Sequence, residues 1–340
     1  MIANYSSAFF IVIIQYTGFY KKLRVRKLKY INTIKLLFVL LICSIQITAF
    51  AVGTDSFGQQ QPSNVSEDNW YSLKAAVQEA KLIADDGVNQ DQFGMSVSIS
   101  GNRALVGAHR NGDADTEDLG AAYIFDLIEG DWTQTAKLTA DDSESGSYFG
   151  QSVSLFGDRA LIGAKGDNEN GVYSGAAYIY DLVNGEWTQT VKLIANDGEA
   201  NDSFGHAVSL YGDRALISSY HNVVNGISSG SAYVFDLAQD IWSQSSNLIP
   251  NDGENSDWFG QAVSLYEDRA LIGANYNDEK GYSSGSAYLF DLSGDSWSQA
   301  TKLTASDGEA FDMFGYSVNL SNDMALIGAP TSDEKSDGAG

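Results

Sequence analysis

The chain has 340 residues, with 44 acidic residues against 20 basic ones and a formal net charge of -24. The first 51 residues hold seven of the basic residues and no acidic residue, so the rest has 13 basic against 44 acidic residues, a balance of -31. Such a surface repels nucleic acid and anionic lipid, and it suits metal ions, cationic partners or simple solubility.

The N-terminal region has the features of an export signal. A basic stretch precedes the apolar run "LLFVLLICSIQITAFA" (Leu36–Ala51), and "AFA" (Ala49–Ala51) fits a cleavage site made of small residues. We interpret residues 1–51 as a leader and 52–68 as a linker, with an uncleaved membrane anchor as the alternative. The only cysteine, Cys43, lies in this leader, so the mature chain would have no disulfide.

From residue 69 onward the chain is dominated by a repeat. A Phe-Gly pair recurs at steps of 56, 55, 55 and 55 residues. A fixed period of this kind indicates stacked supersecondary units rather than one irregular core. The predicted units lie near 81–136, 137–191, 192–246, 247–301 and 302–340.

Each unit contains four segments with the alternating pattern of β-strands. In the second unit these are "QSVSLF" (Gln151–Phe156), "RALIGA" (Arg159–Ala164), "GAAYIYDL" (Gly175–Leu182) and "EWTQTVKLIA" (Glu186–Ala195). The first two are separated only by Gly157-Asp158, a pair typical of tight hairpins. The pattern predicts an all-β β-propeller of four-stranded antiparallel blades, with a β-solenoid as the alternative. "QEAKLIADDG" (78–87) matches the fourth segment and is also predicted as a strand.

These motifs resemble a known family. "FGQSVSLFGDRALIGA" followed by "SGAAYIYDL" is similar to the FG-GAP repeat, the blade unit of integrin α-subunit propellers and of many secreted bacterial proteins. The resemblance implies a propeller and an extracellular or cell-surface setting, and it implies no reaction. The acidic loop that binds calcium in integrin blades has no counterpart here, because a two-residue turn such as Gly157-Asp158 cannot supply ~6–8 oxygen ligands.

Several recurring residues are interpreted as structural. Phe is expected to fill the space between blades and Gly to let backbones approach. The pairs are Phe93-Gly94, Phe149-Gly150, Phe204-Gly205, Phe259-Gly260 and Phe314-Gly315. The tryptophans that begin the fourth strands are expected to pack in the core, and the recurring arginines to form exposed ion pairs. Asp-Gly pairs such as Asp197-Gly198 are expected to be turns in which Gly adopts a positive φ.

The connections from strand 4 to strand 1 and from strand 2 to strand 3 should lie at one end of each blade. We call this end the long-loop face, and it is the acidic one. Its candidate ligand-binding residues are Asp113, Asp115, Asp167, Glu169, His221, Asp278 and Glu279. Asp113, Asp115, Glu117, Asp167 and Glu169 have alternating oxygen ligands that suit calcium, for which only weak, millimolar effects are expected. No other cofactor is expected.

The function hypothesis is a secreted or cell-surface binding or adhesion module that is not an enzyme and whose partner is an unknown protein or glycan. The chain is expected to bind no nucleic acid, and to meet a membrane only if the leader is uncleaved. A propeller-based carbohydrate-active or hydrolytic enzyme and a structural exoprotein module are the alternatives. Unlike, non-repeating polar residues gathered on the long-loop face would favour the enzyme. The third unit departs from the pattern at "SSYHNVVNGISS" (Ser218–Ser229), which contains His221.

The repeats also bear on ring closure. Residues 81–340 provide about 4.7 units, whereas propellers close with ~4–8 complete blades. The last unit ends before its third strand. We therefore expect an incomplete ring whose last strand, "MALIGA" (Met324–Ala329), exposes apolar surface.

The leader generates a first prediction. If it is removed after "AFA", the mature N-terminus will lie near Val52. Mass spectrometry of the protein from the culture supernatant of an expressing cell measures this directly. Recovery of the full-length chain from the cytosol alone would contradict it.

Overall fold

The computed structural model describes residues 80–112 and 118–332, and all regular structure there is β. Asp113, Asp115 and Glu117 lie outside the described residues. The strands, in chain order, are β1 (Ser96–Ser100), β2 (Arg103–Ala108), β3 (Ala121–Ile128), β4 (Asp131–Leu138), β5 (Phe149–Phe156), β6 (Arg159–Ala164), β7 (Ala176–Val183), β8 (Glu186–Leu193), β9 (Val208–Tyr211), β10 (Arg214–Ser219), β11 (Ser231–Ala238), β12 (Ile241–Leu248), β13 (Phe259–Tyr266), β14 (Arg269–Ala274), β15 (Ser286–Ser293), β16 (Ser296–Leu303), β17 (Ser317–Ser321) and β18 (Met324–Gly328).

Sixteen of these strands form four antiparallel sheets of four, and each sheet follows chain order. We number them blades 1 to 4; β17 and β18 form a fifth, two-stranded sheet. The predicted all-β blade architecture is confirmed. The two-residue turns are confirmed as well, because Phe156 pairs with Arg159 across Gly157-Asp158.

Two expectations about local structure are wrong. Residues 80–84, within the segment predicted as an N-terminal strand, are not in a strand. A strand needs a hydrogen-bonded neighbour, and no described strand pairs with these residues. Gly198 also has no positive φ, because it is the fourth residue of its turn and its N–H donates to Ala195 O at 3.2 Å. That position of a turn does not require a left-handed conformation.

Successive blades pack face to face, and the first strand of each lies against the first strand of the next. Between blades 1 and 2, Leu105, Ile124 and Leu138 of one meet Val153 and Leu155 of the other in a single apolar cluster. Equivalent clusters join blade 2 to blade 3 and blade 3 to blade 4. The core is therefore a series of interfaces between blades, which explains why the inner strands are apolar on both faces.

The Phe-Gly segment joins each blade to the one before it. The Phe149 N–H donates to Leu119 O of blade 1 at 3.1 Å, and the Phe149 ring is fully buried. Gly150 has a φ of 87°, and a Cβ there would come within 2.3 Å of Ala121 O. The expected roles of Phe as filler and Gly as a close-approach residue are confirmed at this pair.

The sequence pattern predicted exposed ion pairs for the recurring arginines. Arg103, Arg159 and Arg214 are instead half-buried, and each bridges two blades. Arg159 Nε lies 2.7 Å from Asp181 in its own blade, and its Nη1 lies 2.8 Å from Asp213 in the next blade. The guanidinium also stacks over Trp242, 5.3 Å from the ring centroid. Trp242 packs against the apolar cluster, as predicted. A side chain that contacts two blades is shielded by both, which explains its burial.

Apolar side chains are exposed on the first and last sheets. Val97 and Ile99 are each 52% exposed, whereas Val153 and Leu155 occupy the same positions in blade 2 and are 8% and 5% exposed. Leu326 is 74% exposed, which confirms the expected apolar surface on "MALIGA". Among residues 80–112 and 118–332, no helix is long and apolar enough to cross a bilayer.

A glycine pair tests the close approach of blades. A Cβ on Gly163 would lie 2.0 Å from Gly205 O in the next blade, and the φ of Gly163 is not positive. Gly163→Ala should therefore destabilise the protein by about 3 kcal/mol or more, through overpacking alone. Gly157→Ala is the matched control: Gly157 has a φ of 59° and nothing within 4 Å of its added Cβ, so only ~1 kcal/mol is expected. Equal losses in urea unfolding would contradict this account.

Candidate functional site

The long-loop face is assembled as the antiparallel topology predicts. The loop between β4 and β5 meets the loop between β6 and β7, and the Gly166 N–H donates to Ser147 O at 3.1 Å. The predicted acidic residues that the structure describes have internal partners. The face is therefore not a uniform acidic surface, and its charges are arranged differently in different blades.

In blade 2 three carboxylates surround one ammonium group. Lys192 Nζ lies 2.7 Å from Asp142 Oδ2, 3.0 Å from Asp167 Oδ2 and 3.2 Å from Glu169 Oε2. The hydroxyl of Tyr178 lies 2.9 Å from both aspartates. Burial opposes the charge of Lys192, yet the hydrogen bonds to Asp142 and Asp167 raise its pKa above the usual value. Asp167 and Glu169 thus bind a cation, and that cation is a side chain of the same blade.

Blade 4 repeats this arrangement with one change. Lys302 Nζ lies 2.7 Å from Asp252 and 3.0 Å from Glu279, and Asn277 stands where blade 2 has Asp167. Asp278 accepts the Ser283 N–H at 2.6 Å within its own loop. The predicted residues Glu279 and Asp278 therefore stabilise the lysine and the loop. In the described parts of the chain no group of three or more His, Cys, Asp or Glu side chains is arranged to hold a metal ion.

A second set of aspartates, missed by the sequence reasoning, caps the loops between blades. Asp257 is buried, and its Oδ2 accepts the Glu254 N–H at 3.0 Å and the Asn277 side-chain amide at 2.9 Å. Burial raises the pKa of Asp257 despite these bonds. In each pair the asparagine follows the aspartate by 20 residues, and the pair recurs at Asp91–Asn111 and Asp202–Asn222. This recurring spacing is the sequence signal from which these aspartates could have been found.

Blade 3 lacks the internal cation. Asn247 stands where the other blades have lysine, and Val224 stands where blades 2 and 4 have Glu169 and Glu279. The loss of the positive charge and the loss of one negative charge therefore occur together. This explains, on the long-loop face, why the third unit departs from the repeat pattern.

The same region of blades 3 and 4 carries a run of contacting rings. We call His206, Tyr220, His221, Trp258 and Tyr276 the aromatic patch. Ring centroids are 4.1 Å apart for His206–Tyr220, 3.8 Å for Tyr220–His221, 5.9 Å for His221–Trp258 and 4.2 Å for Trp258–Tyr276. All five side chains are half-buried. Of the predicted ligand-binding residues, His221 is the one that belongs to this patch.

The patch is built from positions at which the units differ. Trp258 directly precedes a Phe-Gly pair, where blade 2 has Tyr148 and blade 3 has Ser203. Tyr220 follows the second strand, where blade 2 has Lys165 and blade 4 has Asn275. A comparison of the units column by column would have revealed these variable positions, but not that residues of different units are in contact.

Unpaired buried polar atoms lie around the patch. Nδ1 of His109, Nδ1 of His206 and Oδ1 of Asn275 are buried and have no hydrogen-bond partner among the described residues. Burial lowers the pKa of His109 and of His206 to about 4, with Lys165 acting in the same direction. Both imidazoles are therefore neutral at pH 7. A neutral imidazole has one donor and one acceptor nitrogen, and the buried Nδ1 of each ring has no hydrogen-bond partner among the described residues.

The opposite end of the blades has a different character. Shallow depressions there lie between the two-residue turns of neighbouring blades, and one is lined by Arg214, Asp236 and Asp268. These three residues form the interblade ion pairs, at 2.6 Å and 2.9 Å from the guanidinium. Their charges already satisfy one another, so the long-loop face is the better candidate for a binding site.

Comparison with known proteins agrees with the repeat and the blades. A family model described as FG-GAP repeat matches residues 76–125, 132–180, 187–235, 242–290 and 297–340. The matches at 132–180, 187–235 and 242–290 each begin in the fourth strand of one blade and end in the third strand of the next. No curated protein matches the chain.

The lysine-centred arrangement can be tested by exchanging residues between blades. Lys192→Asn should destabilise the protein by about 2–3 kcal/mol, because it leaves Asp142 and the buried Asp167 without their cation. The reverse exchange, Asn247→Lys, should add about 1 kcal/mol by placing an ammonium beside Asp197 and the ring of Tyr233. Urea unfolding measures both. A stabilised Lys192→Asn variant would contradict the structural role of Lys192.

Proposed function

The chain belongs to the FG-GAP repeat family, and from this premise we propose that it is a secreted or cell-surface binding module whose ligand contacts the aromatic patch. FG-GAP repeats form propeller modules that are often used in binding, which supports the coarse assignment. The observation that supports placing the ligand at this site is the aromatic patch itself. It gathers five half-buried rings from positions at which the repeat varies, whereas the repeated acids on the same face bind lysines.

The chemistry of the patch favours binding over catalysis. A cluster of unlike residues on the long-loop face also suits the enzyme alternative. However, acid–base catalysis at neutral pH is most efficient with a pKa near 7, whereas His109 and His206 have pKa values of about 4. The Nδ1 atoms of both imidazoles lack the carboxylate partner that orients a catalytic base. We therefore propose a module that is not an enzyme and acts in adhesion or recognition.

Half-buried aromatic side chains are suited to contact with a ligand. They keep a rigid apolar surface available to it at low cost in conformational entropy, and tryptophan and tyrosine dominate the energetics of many interfaces. In the patch Trp258 contacts His221 on one side and Tyr276 on the other. Trp258 is therefore the residue at which truncation should cost the most binding energy.

The test is binding of the purified chain to a glycan array and to a protein array. Trp258→Ala should lose at least tenfold in affinity for whichever probes the unmodified chain binds, a change of about 1.4 kcal/mol. Tyr282→Ala is the matched control, since Tyr282 is an aromatic side chain outside the patch and is 63% exposed. Equal effects of the two substitutions, or no probe bound by the unmodified chain, would overturn the proposed function.

A further inference from the structure

Lys165 differs from the other half-buried cations of the described chain. Arg103, Arg159, Arg214, Arg269, Lys192 and Lys302 each have a carboxylate oxygen within 3.2 Å. Lys165 is half-buried and forms no ion pair or hydrogen bond with a described carboxylate. Burial lowers its pKa. Removing an ammonium from water without pairing it costs free energy, so a fold with such a group calls for an explanation.

The backbone places Lys165 next to the aromatic patch. Ala164 directly precedes Lys165, and Gly205 directly precedes His206; a Cβ on Gly205 would come within 3.1 Å of Ala164 N. On the other side, the Gly166 N–H donates to Ser147 O, which adjoins Tyr148, and the Tyr148 ring lies 5.9 Å from that of His109. Lys165 is therefore near both His109 and His206, and after burial its charge is the next cause that lowers the pKa of each.

Acidic groups near these histidines are already engaged. Asp202, whose charge opposes the lowering of the His221 pKa, accepts the Glu199 N–H at 2.9 Å and the Asn222 side-chain amide at 3.0 Å. Asp118, whose charge opposes the lowering of the His109 pKa, has its Oδ1 3.9 Å from Nε of Arg110. The three histidines near Lys165 are depressed in pKa and neutral at pH 7. Burial is the one cause that lowers the pKa of Lys165, so no described charge compensates its ammonium.

We infer that Lys165 is the anion subsite of the aromatic patch, and that the ligand is a saccharide containing uronic acid residues. The inference rests on the proposed function. A ligand carboxylate would pair with the ammonium of Lys165, which has no partner among the described carboxylates, and a sugar face would lie on Trp258 and Tyr276. The flat aromatic rings suit the apolar face of a sugar ring, and the charge of Lys165 suits the carboxylate of that sugar.

The probe is an oligogalacturonate, compared with the same oligosaccharide as its methyl ester. Esterification removes the charge and keeps the ring. The unmodified chain should bind the acid at least tenfold more tightly than the ester, and the difference should shrink as salt is added. Lys165→Met should abolish this preference. Lys280→Met is the matched control, because Lys280 is an exposed lysine outside the patch, and it should retain the preference.

Stability provides an independent readout. Because Lys165 is half-buried and has no partner among the described carboxylates, Lys165→Met should leave the melting temperature unchanged or raise it, as expected for a charge kept for binding. A Lys165→Met variant that prefers the acid as strongly as the unmodified chain would overturn the inference, as would equal binding of acid and ester. Binding of neutral saccharides or proteins only, still sensitive to Trp258→Ala, would overturn the uronate inference and leave the proposed function standing.

Discussion

The close approach of backbones between neighbouring blades is the constraint on which this structure depends. Gly150 reaches Ala121 O of the preceding blade, and Gly163 lies against Gly205 O of the following one. At such distances no Cβ fits, so the blades meet at a fixed spacing. The Phe149 N–H donates to Leu119 O in a parallel β-bridge between the two blades, and the Phe149 ring is buried. Together these contacts set the register of one blade on the next.

Fixed spacing between blades has consequences for charge. Each interface brings a guanidinium such as Arg159 between two aspartates, one from each blade, and over the ring of Trp242. At the other end of the blades Lys192 is held among three carboxylates. This strongly acidic chain thus places several of its cations between two or three carboxylates, which limits the repulsion that its net charge creates.

The same spacing frees a few positions for recognition. Once Phe, Gly, Arg and the apolar strands have fixed the blade, the residue before Phe-Gly and the residues after the second strand are not required for packing. In blades 3 and 4 these positions hold Trp258, Tyr220 and His221, and in blade 2 one holds Lys165. Function on this scaffold is therefore expected where the repeat varies, and stability where it does not.

The sequence by itself determined the repeat, the four strands of a blade, the tight turns and the roles of Phe149 and Gly150, because strand alternation and turn chemistry are local properties. It placed His221 among the candidate residues but interpreted Asp167, Glu169 and Glu279 as ligand-binding, and Arg159 as exposed. Only the tertiary structure decided those points. Whether a carboxylate is free or bound to Lys192, and whether Trp258 meets His221, depends on which faces of neighbouring blades come together, and a sequence pattern within one blade does not contain that information.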